Sequence, residues 1–374
     1  MTTRVMQVLE CGGPGGTGHQ VAALCNGLDR ERFHVTLVYA VRPGCAPERY
    51  EAMARGAARR IHVPEMVREI SPAADLAAWW RLYRLFRAER PDIVHAHSSK
   101  AGFLARSAAW AAGVRRVYYS PRGYAFLQTD RSPLSRRLYR LAERSVGWIG
   151  EVVAVSESEG DLARSAAGAR RVRVLPDAYL GEVPEAGPRL ERASGRETLV
   201  CASGRLCHPR HPEAFVRLAR RAASVRADIR FEWIGDGELR PQVDKMARDQ
   251  GLGERFSVTG WLPQPEAVER LRGADLFVHY SRWEGLPNAV LEAMALGLPV
   301  IVSDIPGNRE LVRPGENGYR VASEEKLFER TLELVEDPER RAGMGAAGQD
   351  IVRRKYGLER LLRDISDLYE STAL

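Results

Sequence analysis

The chain has 374 residues, of which 44% are hydrophobic and 28% are charged, so it is long enough for two ordinary domains with buried cores. Its formal net charge of +7 favours anionic partners such as phosphorylated ligands or acidic membrane surfaces, although heavy arginine usage explains that charge equally well. No segment approaches the ~18–20 unbroken apolar residues of a membrane span, and the N-terminal MTTRVMQVLECGG predicts a first strand rather than a signal peptide.

The five cysteines are odd in number and include no C-x-x-C pair. This pattern argues against a cysteine metal site and is typical of a protein in a reducing compartment. We therefore expect a cytoplasmic protein, either free or peripheral on the cytoplasmic face of the inner membrane.

The first half of the chain alternates short apolar runs with longer segments of helical pattern, such as HQVAALCNGL (19–28). Short runs bounded by turn residues and separated by helices predict a parallel sheet that is covered on both faces. The predicted strands are 5–10, 34–39, 92–97, 116–120 and 151–156.

The polar segment 179–195 contains Pro and Gly and resembles a linker, and the alternation restarts after it. The predicted strands of the second half are 198–204, 229–237, 255–260, 274–281, 299–304 and 318–321. The fold class is therefore α/β, with two Rossmann-like, doubly wound parallel-sheet domains. We place a first domain at 1–180, a linker at 181–194 and a second domain at 195–355, with a C-terminal amphipathic helix (about 356–374) crossing back to the first domain.

The first predicted strand is followed by the glycine-rich loop CGGPGGTGHQV (11–21). Glycines permit close approach of a ligand to the backbone, and the helix that starts near Thr17 would direct free amides at an anion. The spacing is not G-x-G-x-x-G, so a tight strand-to-helix turn without a ligand is an equal alternative.

The first strand of the second half is followed by GRLCHPRHPEAF (204–215), which carries Arg205 and Arg210. Two guanidinium groups at the end of a parallel strand are suited to binding a pyrophosphate. Two solvated surface arginines are the alternative in so arginine-rich a chain.

The segment YSRWEGLPNAVLEAMALGLPVIVSD (280–304) predicts a strand end, a loop and then a helix that begins near Pro287. The amides of Asn288 and Ala289 at the helix start would attract phosphate, while Glu284 and Glu292 would accept hydrogen bonds from sugar hydroxyls. Alternatively, Glu284 caps the helix and Glu292 is a solvated helix residue.

The basic, aromatic helix predicted at 77–92 has two interpretations. Its side chains Trp79, Trp80, Tyr83 and Phe86 could enter a membrane interface while the arginines meet lipid headgroups. Alternatively, it covers the sheet with Trp80, Tyr83 and Leu85 in the core. The segment 131–150 poses the same choice.

Taken together, these motifs resemble family four of the retaining glycosyltransferases. The resemblance rests on EGLPNAVLEAMALGLPVIVSDIPGNRELV (284–312) with GRLCHPRHPEAF and FEWIGDGEL before it, and on PGGTGHQVAALCNGL, DIVHAHSSKAGFLAR and EVVAVSESEGDLA in the first half. It implies the GT-B fold, in which two Rossmann-like domains face a central cleft, with the acceptor-binding domain at 1–180 and the donor-binding domain at 195–355. It also implies that no metal or other cofactor is needed, and no D-x-D metal motif stands out.

The resemblance also implies a role for each matching position. The catalytic group would be Glu284, Arg205 and Arg210. The donor-binding group would be Gly15, Gly16, Trp261, Leu262, Leu286, Pro287, Asn288, Ala289 and Glu292. The sugar or acceptor side would comprise His97, Lys100, Arg122 and Tyr124.

The chain departs from the family pattern at three places. Arg210 stands where lysine is usual, and Arg122, in YYSPRGYAF, stands where many members have the histidine of a T-x-H-G loop. Arginine cannot act as a general base, so Arg122 instead raises the possibility of an acidic sugar or acceptor. Asp177-Ala178, in VLPDAYL, replaces a usual Asn-Gly.

We therefore predict a retaining, metal-independent glycosyltransferase of bacterial surface polysaccharide or lipopolysaccharide assembly. Its partners would be a nucleotide-sugar donor, with a UDP-sugar favoured by family frequency, and a saccharide or lipid-linked acceptor, with no nucleic acid. The alternatives are a non-hydrolysing UDP-sugar epimerase and a non-catalytic nucleotide-sugar-binding protein.

Overall fold

The computed structural model describes residues 2–13, 15–42, 44–67, 69–185 and 197–371. Most of the predicted linker, from residue 186 to residue 194, lies outside the described residues. The chain divides into two compact units, one formed by Met1–Leu180 with Leu358–Leu374 and the other by Gly181–Gly357.

Unit 1 is built on a seven-stranded sheet in the order β3-β2-β1-β4-β5-β6-β7, in which every neighbouring pair is parallel. All five strands predicted in the first half are present, with ends displaced by two residues at most. Strands β3 and β7 are missing from the prediction because arginines interrupt their apolar residues and they are only partly buried. The strands are β1 (Thr3–Gly12), β2 (Phe33–Val41), β3 (Arg59–His62), β4 (Ile93–His97), β5 (Arg116–Ser120), β6 (Glu151–Ala154) and β7 (Val172–Val174).

Helices cover both faces of this sheet, because successive side chains of a strand point to opposite faces. On β1, Met6 and Val8 join one apolar cluster, while Val5 and Leu9 join a second cluster on the other face. The helices of unit 1 are α1 (Gly16–Gly27), α2 (Pro47–Met53), α3 (Pro72–Glu89), α4 (Ser99–Ala111), α5 (Pro133–Val146), α6 (Glu157–Ser165) and, from the end of the chain, α14 (Leu358–Glu370).

In helix α3, each of the two interpretations of the segment 77–92 is wrong for one residue. The membrane interpretation is wrong for Phe86, which is 1% exposed in the core, and the sheet-covering interpretation is wrong for Trp80, which is 53% exposed. The buried stripe consists of Ala78, Leu82 and Phe86, which recur every fourth residue and so lie on one side of the helix.

Unit 2 contains a six-stranded parallel sheet in the order β10-β9-β8-β11-β12-β13. Its six predicted strands are all present, each with the same or a shorter span. The strands are β8 (Thr198–Ser203), β9 (Ile229–Ile234), β10 (Phe256–Val258), β11 (Leu276–His279), β12 (Val300–Ser303) and β13 (Gly318–Val321). The helices are α7 (Pro212–Ala223), α8 (Arg240–Asp249), α9 (Gln264–Gly273), α10 (Asn288–Ala295), α11 (Asn308–Leu311), α12 (Glu324–Glu336) and α13 (Pro338–Lys355).

Helix α14 is tied to the sheet of unit 1 through the buried hydroxyl of Tyr369. This oxygen lies 2.9 Å from Gln7 Nε2 and 2.7 Å from His95 Nδ1, and His95 Nε2 lies 2.9 Å from Ser120 Oγ. Burial holds the pKa of His95 well below its usual value, so the ring is neutral. The amide of Gln7 donates to the Tyr369 oxygen, which leaves the phenol proton for His95 Nδ1.

We predict that Tyr369→Phe destabilises the protein by roughly 1–3 kcal/mol, because Gln7 and His95 each lose a buried hydrogen-bond partner. The free energy of unfolding measures this effect. Tyr83→Phe is the control, since Tyr83 is a partly buried tyrosine of the same unit, and should change the value by less than about 0.5 kcal/mol. Equal, small effects of both substitutions would contradict a structural role for the Tyr369 hydroxyl.

Candidate active site

Three polar side chains meet beyond the carboxyl ends of β8 and β11 in unit 2. Arg210 ends a 3₁₀ turn (His208–Arg210) that follows β8, His279 is the last residue of β11, and Glu284 lies in the next loop. Arg210 forms an ion pair with Glu284, and its Nη1 lies 2.8 Å from His279 Nε2. Glu284 Oε1 and Ser281 Oγ each lie 3.0 Å from the same ring nitrogen. Ligands bind at this edge of open parallel sheets, so the position suits a binding site.

The electrostatics of this cluster keep Glu284 ionised. Burial raises the pKa of its carboxyl, but the positive charge of Arg210 and the contact with His279 outweigh burial, so the pKa lies below its ordinary value. Burial lowers the pKa of His279, so that its ring is neutral at pH 7. Glu284 is therefore a hydrogen-bond acceptor with a full negative charge, and it has no proton to donate.

Backbone contacts fix the loop that carries Glu284. The amide of Arg282 donates to the Pro209 carbonyl at 2.8 Å and so joins the loop to the turn of Arg210. On the other side, Gly307 has a φ of +83°, and a Cβ there would lie 2.5 Å from the Gly285 carbonyl oxygen. Only glycine permits both this backbone conformation and this close approach.

Helix α10 begins directly after this loop. Pro287 is its N-cap, Asn288 and Ala289 are its first two residues, and the Val290 amide already bonds to the Pro287 carbonyl at 3.0 Å. Leu286 and Pro287 are buried, so the helix start is held firmly. The predicted boundary between loop and helix is confirmed, whereas phosphate binding at this end stays a prediction.

Glu292 lies one turn into α10 and is partly buried. Burial raises the pKa of its carboxyl to about 7, against the lowering effect of Arg210. A carboxyl group that titrates near neutrality is unusual on a helix surface and is frequent in binding and catalytic sites.

The structure does not bring Arg205 to Glu284. Arg205 Nε instead lies 2.9 Å from Glu238 Oε2, and both side chains of this ion pair are about half exposed. Exposed ion pairs of this kind contribute little to stability and are readily exchanged for a ligand. Trp261 is 65% exposed and Leu262 is partly buried, in the segment between β10 and α9.

The glycine loop of unit 1 joins β1 to α1, which begins at Gly16, one residue before the predicted Thr17. Gly13 and Gly15 have φ values of +123° and +151°, and a Cβ on Gly15 would lie 3.5 Å from the guanidinium of Arg42. Arg42 Nε is buried and has no hydrogen-bond partner among the described residues. The loop therefore lies beside a cation that the sequence motif does not include, and only Gly16 of its described glycines before α1 and at its start is exposed.

Two of the three departures from the family pattern, Arg122 and Asp177, contact each other. Arg122 Nε lies 2.9 Å from Asp177 Oδ2 and Nη2 lies 2.8 Å from Oδ1, and the two side chains are only 7% and 6% exposed. Arg122 Nη1 lies 2.5 Å from Nδ1 of His97, which is itself fully buried. Because arginine only donates, His97 Nδ1 accepts and its Nε2–H donates to Gln7 Oε1 at 2.7 Å.

The other two predicted acceptor-side residues are also engaged internally. Lys100 Nζ lies 2.5 Å from Asp75 Oδ1 and 2.7 Å from the Glu69 carbonyl oxygen. Tyr124 is 1% exposed, and its hydroxyl finds no hydrogen-bond partner in the described part of the chain. The acceptor-side assignment of all four residues stays a prediction.

Two residues of these sites are absent from the sequence-based prediction. His279 contacts both Arg210 and Glu284, and its only signal is a histidine at a strand end five residues before the glutamate. Arg42 follows β2 and approaches Gly15 only because β1 and β2 pair side by side. No group of three or more His, Cys, Asp or Glu side chains suited to a metal ion occurs among the described residues.

Comparison with known proteins gives matches in both halves of the chain. The family model "Glycosyl transferase 4-like domain" matches residues 15–178, and "Glycosyl transferases group 1" matches residues 189–351. The UDP-Gal:alpha-D-GlcNAc-diphosphoundecaprenol alpha-1,3-galactosyltransferase of Escherichia coli is 31% identical over 278 residues, which cover 70% of each chain. The lipopolysaccharide core biosynthesis glycosyltransferase LpsE of Rhizobium meliloti is 28% identical over 284 residues, covering 75% of this chain and 76% of LpsE.

Among solved structures, Anabaena Alr3699/HepE in complex with UDP and glucose superposes with a TM-score of 0.77 at 16% identity. The match covers 98% of this chain and 99% of the Anabaena chain. At this identity the similarity shows the fold, and it extends over both units.

We predict that Glu292→Gln changes the pH dependence of stability. A carboxyl whose pKa rises from 4.5 in the unfolded chain to about 7 in the folded protein stabilises fully below pH 4.5, and this contribution is lost as the pH rises through 7. Glutamine cannot ionise, so the variant does not lose this contribution. Its free energy of unfolding, relative to that of the native protein, should therefore be roughly 2–3 kcal/mol higher at pH 8 than at pH 5. Urea unfolding at both pH values measures the difference.

The matched control is Glu254→Gln, which removes an exposed carboxylate of the same unit. Its effect relative to the native protein should be the same at both pH values. An equally pH-independent effect of Glu292→Gln would contradict the raised pKa of Glu292.

Proposed function

The chain belongs to the group 1 glycosyltransferases, and we propose that it transfers a sugar from a UDP-sugar to a saccharide or lipid-linked acceptor with retention of anomeric configuration. Its fold is of the GT-B type, with two Rossmann-like parallel-sheet units. The finer proposal rests above all on one observation, the Arg210–Glu284 ion pair beside the start of α10.

Arg210 and the N-terminal end of α10 supply positive charge where the donor diphosphate would lie. A guanidinium forms strong, charge-assisted hydrogen bonds with phosphate oxygens, and a helix N-terminus carries a partial positive charge. Removing one such donor from an oxyanion site typically costs about 2.7–4 kcal/mol of transition-state stabilisation. Arg205, at the end of β8, would reach the same diphosphate by leaving its exposed partner Glu238.

In the transfer step, the bond between the anomeric carbon and the diphosphate oxygen breaks while the acceptor oxygen bonds to that carbon. The electron pair of the broken bond leaves with the diphosphate, whose oxygen takes the proton of the acceptor hydroxyl on the same face. The ionised Glu284 orients the sugar and stabilises its developing positive charge. Its lowered pKa supports this role rather than that of a proton donor at neutral pH.

The remaining donor contacts follow from the positions of residues in unit 2. Glu292 would accept hydrogen bonds from the ribose hydroxyls, and main-chain groups of Trp261 and Leu262 would border the uracil. The amides of Asn288 and Ala289 would complete the phosphate site, and Leu286 and Pro287 hold that helix end in place. No cofactor or metal ion enters this proposal. Contact of Gly15 and Gly16 with the donor remains a prediction.

The residues predicted to contact the acceptor support a less specific proposal than those predicted to contact the donor. His97, Lys100, Arg122 and Tyr124 lie in unit 1, and Arg122 carries the charge that would suit an acidic sugar or acceptor. Because Asp177 and His97 occupy its guanidinium, an acidic ligand is not part of the proposal.

The relatives support a role in surface polysaccharide or lipopolysaccharide assembly. The Escherichia coli relative is named for a diphosphoundecaprenol-linked acceptor and the Rhizobium meliloti relative for lipopolysaccharide core biosynthesis. No helix among the described residues is long and apolar enough to cross a membrane. We propose a cytoplasmic enzyme that reaches a lipid-linked acceptor at the inner face of the membrane.

A thermal-shift screen of UDP-, GDP- and other nucleotide sugars, followed by transfer assays with the nucleotide sugar that binds, tests the function. We expect stabilisation by a UDP-sugar, slow hydrolysis without acceptor, and transfer with retained anomeric configuration when an acceptor is present. Epimerised donor without transfer would establish the epimerase instead. Binding without any turnover would establish a binding protein, and an inverted product would contradict the retaining mechanism.

We predict that Glu284→Gln lowers kcat by at least about 100-fold, because the amide cannot stabilise a developing positive charge as a carboxylate does. UDP affinity should change by less than about threefold, since in this proposal Arg210 leaves Glu284 for the diphosphate when UDP binds, and Glu284 contacts the sugar, which UDP lacks. Steady-state kinetics and calorimetric titration with UDP measure the two effects. Glu339→Gln, an exposed carboxylate of α13, is the control and should leave both values unchanged. An almost native kcat in Glu284→Gln would refute the assigned role.

A further inference from the structure

Unit 1 carries an exposed row of large apolar side chains along α5. Leu134, Leu138 and Leu141 are 67%, 51% and 54% exposed, and their spacing of four and three residues places them on one side of the helix. Trp110, near the end of α4, and Trp148, just after α5, are 59% and 43% exposed, and their rings meet edge to face at 5.5 Å. We call these five residues the α5 face.

The opposite side of α5 is firmly anchored, so the exposed leucines do not result from a loosely packed helix. Glu143 is buried, and its carboxylate accepts from Arg106 Nη2 at 2.5 Å and from the Tyr119 hydroxyl at 2.7 Å. The Arg106 guanidinium also lies 4.0 Å from the centre of the Tyr119 ring. Val146 completes the buried side. Breaking such a buried pair is costly, so α5 holds its orientation.

The exposed charges of the segment 131–150, which contains α5, have a single sign. Arg137, Arg140 and Arg144 are exposed and have no acidic partner in the described ranges of the chain. Glu143 is the only acidic residue between positions 131 and 150, and its charge is buried against Arg106. An apolar row that carries exposed arginines along the same helix is complementary to a surface that combines hydrocarbon with negative charge.

A neighbouring helix has the same chemistry. On α3, which packs beside α4, Leu76 and Trp80 are 69% and 53% exposed. Arg84 and Arg87 lie on the same side of α3 and are exposed. Helix α4 lies between α3 and α5 and has buried or partly buried residues until Trp110.

We propose that the α5 face docks on a bilayer surface that contains anionic lipid headgroups. The leucines enter the boundary between headgroups and acyl chains, the two indole rings lie at headgroup level, and the arginines bind the lipid phosphates. The inference rests on the proposed function in one respect, because it explains how a lipid-linked acceptor would be presented to unit 1.

A second copy of the chain is the weaker candidate for the partner of this surface. A two-fold interface places the same patch on both sides, so Arg137, Arg140 and Arg144 of one copy would approach their equivalents in the other. Like charges placed opposite one another oppose association, whereas anionic headgroups neutralise the same arginines.

Co-sedimentation with vesicles tests the proposal on the full chain. We expect the native protein to bind vesicles of phosphatidylcholine with phosphatidylglycerol and to bind phosphatidylcholine alone much more weakly. The double variant Leu138→Ser/Leu141→Ser and the triple variant Arg137→Gln/Arg140→Gln/Arg144→Gln should each lower the partition coefficient by about 100-fold. Val225→Ser removes a 58% exposed apolar residue from unit 2 and should have no effect.

UDP-sugar binding is measured by thermal shift on the same samples. Failure of the docking proposal can then be distinguished from failure of the proposed function. Lost vesicle binding with native UDP-sugar binding supports the docking surface, whereas absent vesicle binding in the native protein overturns it and leaves the proposed function intact. Native vesicle binding by both variants also overturns it. Concentration-dependent dimerisation that the leucine variant abolishes, seen by analytical ultracentrifugation, would assign the surface to a second copy.

Discussion

The ion pair between Arg210 and Glu284 is the interaction on which the candidate site depends. It holds a carboxylate in its charged form although the group is largely buried, and it does so beyond the carboxyl ends of β8 and β11. Two backbone contacts hold the loop of Glu284 beside Arg210. Gly307 allows the backbone of Gly285 to approach closely, and the Arg282 amide joins the loop to the Arg210 turn. A neutral carboxylic acid at Glu284 would offer the sugar a different hydrogen bond and no charge.

The two glutamates of the motif have opposite electrostatic properties, although they stand only eight positions apart. Glu284 touches Arg210 and His279 and has a lowered pKa, whereas burial dominates at Glu292 and raises its pKa to about 7. The carboxyl of Glu284 is therefore ionised at neutral pH, whereas that of Glu292 changes its protonation near neutrality. This difference matches a division between stabilising a developing cation and binding hydroxyl groups.

In unit 1, the departures from the family pattern have a structural explanation. Arg122 and Asp177 are distant in sequence but form one buried ion pair, so a charged side chain at one position accounts for the other. Through His97, Gln7 and Tyr369, the same pair connects to α14, the last helix of the chain. The arginine that suggested an acidic ligand thus serves the packing of its own unit.

The sequence by itself predicted the two parallel sheets, every strand of them except β3 and β7, and the start of α10, because buried strands, turn glycines and helix starts are encoded by local patterns. The donor-binding role of the motif residues stays a prediction. The tertiary structure decided what local patterns cannot contain. Strand pairing brought Arg42 to Gly15 and His279 to Arg210, left Arg205 with Glu238, and joined Arg122 to Asp177. It also buried Phe86 while exposing Trp80, since the side of a helix that faces the core is set by the sheet against which it packs.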